Sequence, residues 1–250
     1  MGTATRTNTA RTRTIVTPTI MDEGALYRLM TWLSPGFPVG AFSYSHGLER
    51  AVEAGLVADE AGVLAWLDDL LGHGTLGQDA ILLARAHALV EADDRAGFAE
   101  LRELAAALPA TAELLLETTA QGAAFARTCL AAWPDPAGRI GTLLAEPDAP
   151  PPLAYPVAVG AVAAAHGVPV PATVAAFLQA VVANLVSAGL RLIPLGQTAG
   201  QRLLAALEPA VRRTALRAER AGLDELGTAS LVLDWCSLAH ETQYTRLFRS

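Results

Sequence analysis

Val174, Phe177, Leu178, Val181, Val182, Leu185, Val186 and Gly189 recur three and four residues apart. A stripe at that spacing gathers on one side of the chain only if the backbone is an α-helix. The stripe is close to the roughly 20 apolar residues that span a bilayer. Gln179, Asn184, Ser187 and Arg191 interrupt it, so it reads as a core helix rather than the anchor of a small integral membrane protein. The alternation of β-branched residues that marks half-buried strands is absent from the chain, and the expected class is all-α.

Other helices follow from the same periodicity. Asp22 is a good N-cap for a helix carrying Leu26, Leu29, Met30 and Leu33, which stops at Ser34-Pro35. Helix is expected again from His46 to Leu56, then behind Asp59 through Leu64, Leu67 and Leu71. Further helices are expected over Asp79–Ala92, Phe98–Leu108, Ala112–Ala132 and Tyr155–His166. Pro194 ends the long stripe, and Gln197 and Gln201 open another helix. The Pro-rich run 146–152 is a loop that need not divide domains, because helical sequence resumes directly after it. The expectation is a single compact domain of roughly ten helices over 21–239. A disordered leader over 1–20, rich in Thr and Arg and without the apolar segment of a secretory signal, precedes it. A flexible tail over 240–250 follows.

Composition removes several functions. Net charge is −7, which argues against binding nucleic acid or an anionic membrane, since phosphates need a basic face. Arg212, Arg213, Arg217 and Arg220 cluster, and a solvated helix face accounts for them. All 18 basic side chains are arginine; the chain has no lysine. A P-loop or a Schiff-base enzyme therefore cannot be built from it. Cys129 and Cys236 sit in apolar helical contexts and read as buried free thiols of a reducing compartment. His46, His73, His87, His166 and His240 show no ligand-pair spacing, so neither a metal nor a cofactor is expected. Hydrophobic residues make up 52% of the chain, enough for a large core and for apolar surface left to a partner.

Three segments ask for more than packing. Ser34 to Glu49 is a long linker stiffened by Pro35, Pro38, Gly36 and Gly40, and it carries Phe37, Phe42 and Tyr44. It is either an elaborate helix connector or a loop built to present side chains. Ser43 or Ser45 with His46 offers a serine-hydrolase alternative, but Ser43 stands where a nucleophile elbow needs glycine and no strand leads in. Arg191 to Arg202 breaks at Pro194 and places Gln197 and Gln201 on one helix face, to cap backbone groups or line a polar cavity. His240 to Ser250 combines His240, Glu241, Tyr244, Arg246, Phe248 and Arg249, with the aromatics and arginines that anchor interfaces. It is either a fraying helix end or a segment that orders against a partner.

Ser34–Glu49 with Ala51-Val52-Glu53-Ala54-Gly55, then Pro194–Arg202, then His240–Ser250, resemble the signature blocks of the UreF family of urease accessory proteins. A further block, Glu113-Leu114 with Glu117-Thr118-Thr119-Ala120-Gln121-Gly122, is similar as well. The chain departs from the family pattern at Leu115 or Leu116, where the family has arginine, and at Arg191, where it has lysine. The resemblance implies an all-α, non-catalytic, cytoplasmic homodimer that binds UreD (UreH) and recruits the GTPase UreG. That assembly loads nickel, as cargo, into apo-urease. On this resemblance Tyr44, Glu49, Gln197 and Gln201 are expected to form a GTPase-facing or relay surface. The tail, through His240, Glu241, Tyr244, Arg246, Phe248 and Arg249, is expected to dock UreD, disordered alone and ordered in the complex, with Tyr244 and Phe248 sharing one helical face.

Overall fold

The computed structural model describes residues 21–250 except Pro136 and Pro147; the expected leader lies outside the described residues. Among these residues there are ten α-helices and no strand: α1 Glu23–Trp32, α2 Leu48–Glu53, α3 Glu60–Gly72, α4 Thr75–Glu91, α5 Arg95–Ala107, α6 Ala112–Ala132, α7 Tyr155–Ala165, α8 Val170–Leu192, α9 Gln197–Ala218 and α10 Leu231–His240. The all-α class holds.

Local chemistry sets many boundaries. Asp22, Asp59, Asp94 and Thr111 each accept a hydrogen bond from a first-turn amide of the helix they precede, satisfying one of the donors that a helix start leaves unpaired. Two expected helices moved. The one placed over His46–Leu56 shrinks to α2, because His46 (φ 56°) and Gly47 (φ 78°) adopt left-handed backbone that a helix cannot contain. The one expected from Asp79 begins at Thr75, running through Gly77.

All eleven residues of α7 are buried. A short helix that is apolar all round must sit at the centre, and α7 packs against α4 on one side and α6 on another. Gly160 makes the first contact possible: a Cβ there would stand 2.3 Å from the carbonyl oxygen of Leu83. Gly122 of α6 approaches the Leu153 carbonyl oxygen in the same way, its Cβ position lying 2.1 Å away. The stripe of α8 faces the core, with Val174, Phe177, Leu178, Val182, Leu185 and Val186 buried. Helix α9 packs across α8 and α3, its exposed arginines outward. The Pro-rich loop is tied down by Arg102, which donates to the carbonyls of Glu146, Ala149 and Pro151. Both cysteines are free and buried, and burial pushes the Cys129 thiol up to about 12.

Candidate functional site: a tail clasped to three buried glutamates

Helix α6 carries Glu113, Glu117 and Gln121 at four-residue spacing, so the three polar groups share one face. All three are buried, as is Glu49 at the start of α2. Buried carboxylates demand partners, and the last residues of the chain supply them. Glu49 accepts the backbone N–H of Leu247 at 2.7 Å and of Phe248 at 2.9 Å. His240, fully buried, lies between two carboxylates, its Nε2 3.1 Å from Glu49 and its Nδ1 2.6 Å from Glu113. Both ring nitrogens thus face carboxyl oxygens. Arg246 completes Glu113 with a 2.7 Å contact. Ser250 donates its hydroxyl to Glu117 at 2.6 Å.

The Ser34–Glu49 loop closes the other side. The Arg249 amide donates to the Ser43 carbonyl at 2.8 Å, and the Ser45 amide to the Ser250 carbonyl at 3.0 Å. The Ser45 hydroxyl also donates to that carbonyl. Arg191 at the end of α8 donates to the Phe42 carbonyl at 2.9 Å and covers the Phe248 ring at 4.2 Å. Stacking on an aromatic face in this way suits the planar guanidinium better than an ammonium. Glu241 accepts from the Ala112 amide and so caps α6.

Several expectations are corrected here. The tail was expected to be disordered alone; it is irregular beyond His240 but folded onto the body, where it supplies donors to the buried carboxylates of Glu49, Glu113 and Glu117. Tyr244 and Phe248 do not share a helical face: Tyr244 is fully exposed and Phe248 is buried. Tyr44 and Glu49 do not present themselves at the surface but are buried, with Arg249 5.9 Å above the Tyr44 ring. Gln197 and Gln201 are exposed on the first turns of α9, and no hydrogen bond joins them to Tyr44 or Glu49. The first and second segments do meet, but at Arg191.

The hydrolase geometry is missing. Neither Ser43 nor Ser45 is hydrogen-bonded to His46, whose Nε2 pairs with Thr75 Oγ1 at 2.6 Å. Its Nδ1 lies 3.3 Å from Glu117. Burial opposes a charge on His46, but Glu117, Asp79 and Asp234 outweigh it and hold the pKa above the ordinary imidazole value. His46, Glu117 and Gln121 line a cavity of about 520 Å³ together with Asp79, a residue that sequence reasoning did not single out beyond its place in a helix. Burial pushes the Asp79 carboxyl up to about 7, with His46 pulling it down and Glu117 adding to the rise. The available signal was an acid placed next to Gln78 just before the apolar run Ala80–Ala84 of α4.

The pattern that defines the UreF family matches residues 57–208. The chain belongs to the UreF family. A urease accessory protein UreF of Rhodopseudomonas palustris strain HaA2 is 58% identical over 236 residues, which cover 93% of this chain and 97% of that protein. The UreF of Bradyrhizobium diazoefficiens is 54% identical over 229 residues, 92% of this chain and 93% of that one. The clasp therefore belongs to a member of a urease accessory protein family.

Proposed function

We propose that this UreF-family chain is a non-catalytic scaffold of urease maturation. It binds UreD (UreH), recruits the GTPase UreG, and supports loading of nickel into apo-urease, acting in the cytoplasm as a homodimer. One observation carries the partner-binding part of this reading: the clasp holds up an uncovered apolar face. On α10, Leu231, Trp235 and Leu238 recur at helical spacing and are at least half exposed, with Val232 beside them. Leu247 and the fully exposed Tyr244 add apolar and aromatic surface on the tail that follows α10. A contiguous apolar surface of this kind marks a protein-binding site, and Trp and Tyr are the residues that dominate binding energy at such sites. Gln197 and Gln201, exposed on α9, are the remaining candidates for a GTPase-facing surface.

Co-expression with the neighbouring urease accessory proteins, affinity capture and sizing of the complex tests the proposal. Trp235→Asp and Tyr244→Ala lie outside the buried clasp, and each should weaken capture of UreD at least tenfold while leaving the fold intact. Full capture by the doubly substituted chain, with urease activation unchanged, would overturn it.

A further inference from the structure

The cavity beside the clasp has a polar inventory that the clasp does not use up. At about 520 Å³ it is large enough for a small organic molecule. Its apolar wall includes Phe37, Tyr155 and Phe177; Phe125 links the Phe37 ring to that of Tyr155, which meets Phe177 directly. Its polar wall sets the acceptors Asp79, Glu117 and Gln121 beside His46, the amides of Gln179 and Asn184 and the hydroxyls of Ser34, Thr118 and Ser187. Gln121 is more than nine-tenths buried, gives its amide nitrogen to Glu117 at 3.4 Å, and has no partner among the described residues for its carbonyl oxygen. Asp79 makes no hydrogen bond with its side chain among the described residues, and neither arginine nor lysine lines the cavity. Asp79 thus lines the cavity with only His46 as a cationic neighbour. Among the described residues no three acidic, histidine or cysteine side chains converge as a metal ion requires. Aromatic walls beside unpaired acceptors fit instead a group that is both cationic and carried on an apolar stem.

We propose that this cavity binds a small organic cation, an ammonium or guanidinium on a short apolar stem, with Asp79 and Gln121 accepting its N–H groups. The stem lies against Phe37, Tyr155 and Phe177, and the charge of the ligand meets a carboxylate that no arginine pairs. This goes beyond the scaffold role and does not depend on it.

Calorimetric titration of the full chain at pH 8 with benzylammonium and n-butylguanidinium, against neutral benzyl alcohol, tests the proposal. Saturable one-to-one binding of at least one cation is expected, with benzyl alcohol at least tenfold weaker. Asp79→Asn should weaken the cation at least tenfold, and Gln121→Met should weaken it measurably without changing helicity. If Asp79→Asn does not fold, Gln121→Met decides. Failure of both cations to saturate, equal binding of benzyl alcohol, or unchanged affinity in the folded variants would overturn the proposal.

Discussion

Glu49 is the residue on which the C-terminal segment turns. It accepts two backbone amides and one imidazole nitrogen while being nearly excluded from solvent. Hydrogen bonds to a buried charge are worth about 1.5–3 kcal/mol, and donors left unpaired add their own cost. Glu49→Ala should therefore destabilise the chain by about 2–3 kcal/mol, measured by urea unfolding. It should also open residues 241–250 to limited proteolysis; a tail equally protected in the variant would remove Glu49 from this role. Asp79 and His46 together set a pH dependence. The folded pKa of Asp79, about 7, lies above its ordinary value of about 3.9, so the native state binds a proton that the unfolded chain has released between those values. Stability then falls as pH rises across that window. His46, also raised, contributes stability that is present below the ordinary imidazole range and lost as pH passes its folded value. Both act in one direction, so thermal stability should decrease from pH 6 to pH 8. Asp79→Asn should flatten that slope, and a melting temperature that climbs with pH would contradict the assignment.

At the scale of elements, the pair α4 and α7 sets the core. Helices approach this closely only where a side chain is absent, and the Leu83 carbonyl occupies the place of a Cβ on Gly160. The clash is with backbone, which cannot rotate away as a side-chain tip could. Gly160→Ala should cost about 2–3 kcal/mol by forcing the helices apart, despite the better helix propensity of alanine. Denaturant unfolding of that variant checks it; a stability equal to or above that of the parent chain would show that the pair can shift freely. The long helix α8 and the helix α6 were legible from the sequence, because helical periodicity is a local signal. The start of α2 was not. Nothing in the His46-Gly47 dipeptide declares a left-handed turn until the backbones of Cys236 and Ser237 are seen packed against Gly47.

For the whole molecule, the clasp joins α2, α6, α8, the Ser34–Glu49 loop and the chain end into one polar network surrounded by apolar helices. Deleting Tyr244–Ser250 takes the two amides from Glu49, Arg246 from Glu113 and the Ser250 hydroxyl from Glu117. The truncated chain should lose UreD capture and also melt several degrees lower, while far-UV helicity at 25 °C stays near the parent value. A truncation that loses the partner with no change in melting would mean the network adds nothing to stability.

The sequence alone determined the all-helical class, most helix positions, the absence of lysine chemistry and the family. Each of these rests on residue type or on spacing within one segment, which needs no knowledge of the other segments. It also located the Ser34–Glu49 and His240–Ser250 segments and, through the family resemblance, the Glu113–Gly122 block that together carry most of the site. Only the tertiary structure decided what they do to one another. Glu49 and Tyr44 turned inward, Phe248 parted from Tyr244, and Asp79 was left facing a cavity, because the partners that satisfy a buried charge come from residues as far apart in sequence as Glu49 and Phe248. Periodicity reports which face of a helix is apolar, but it carries no information on which distant backbone amide will meet a carboxylate placed there.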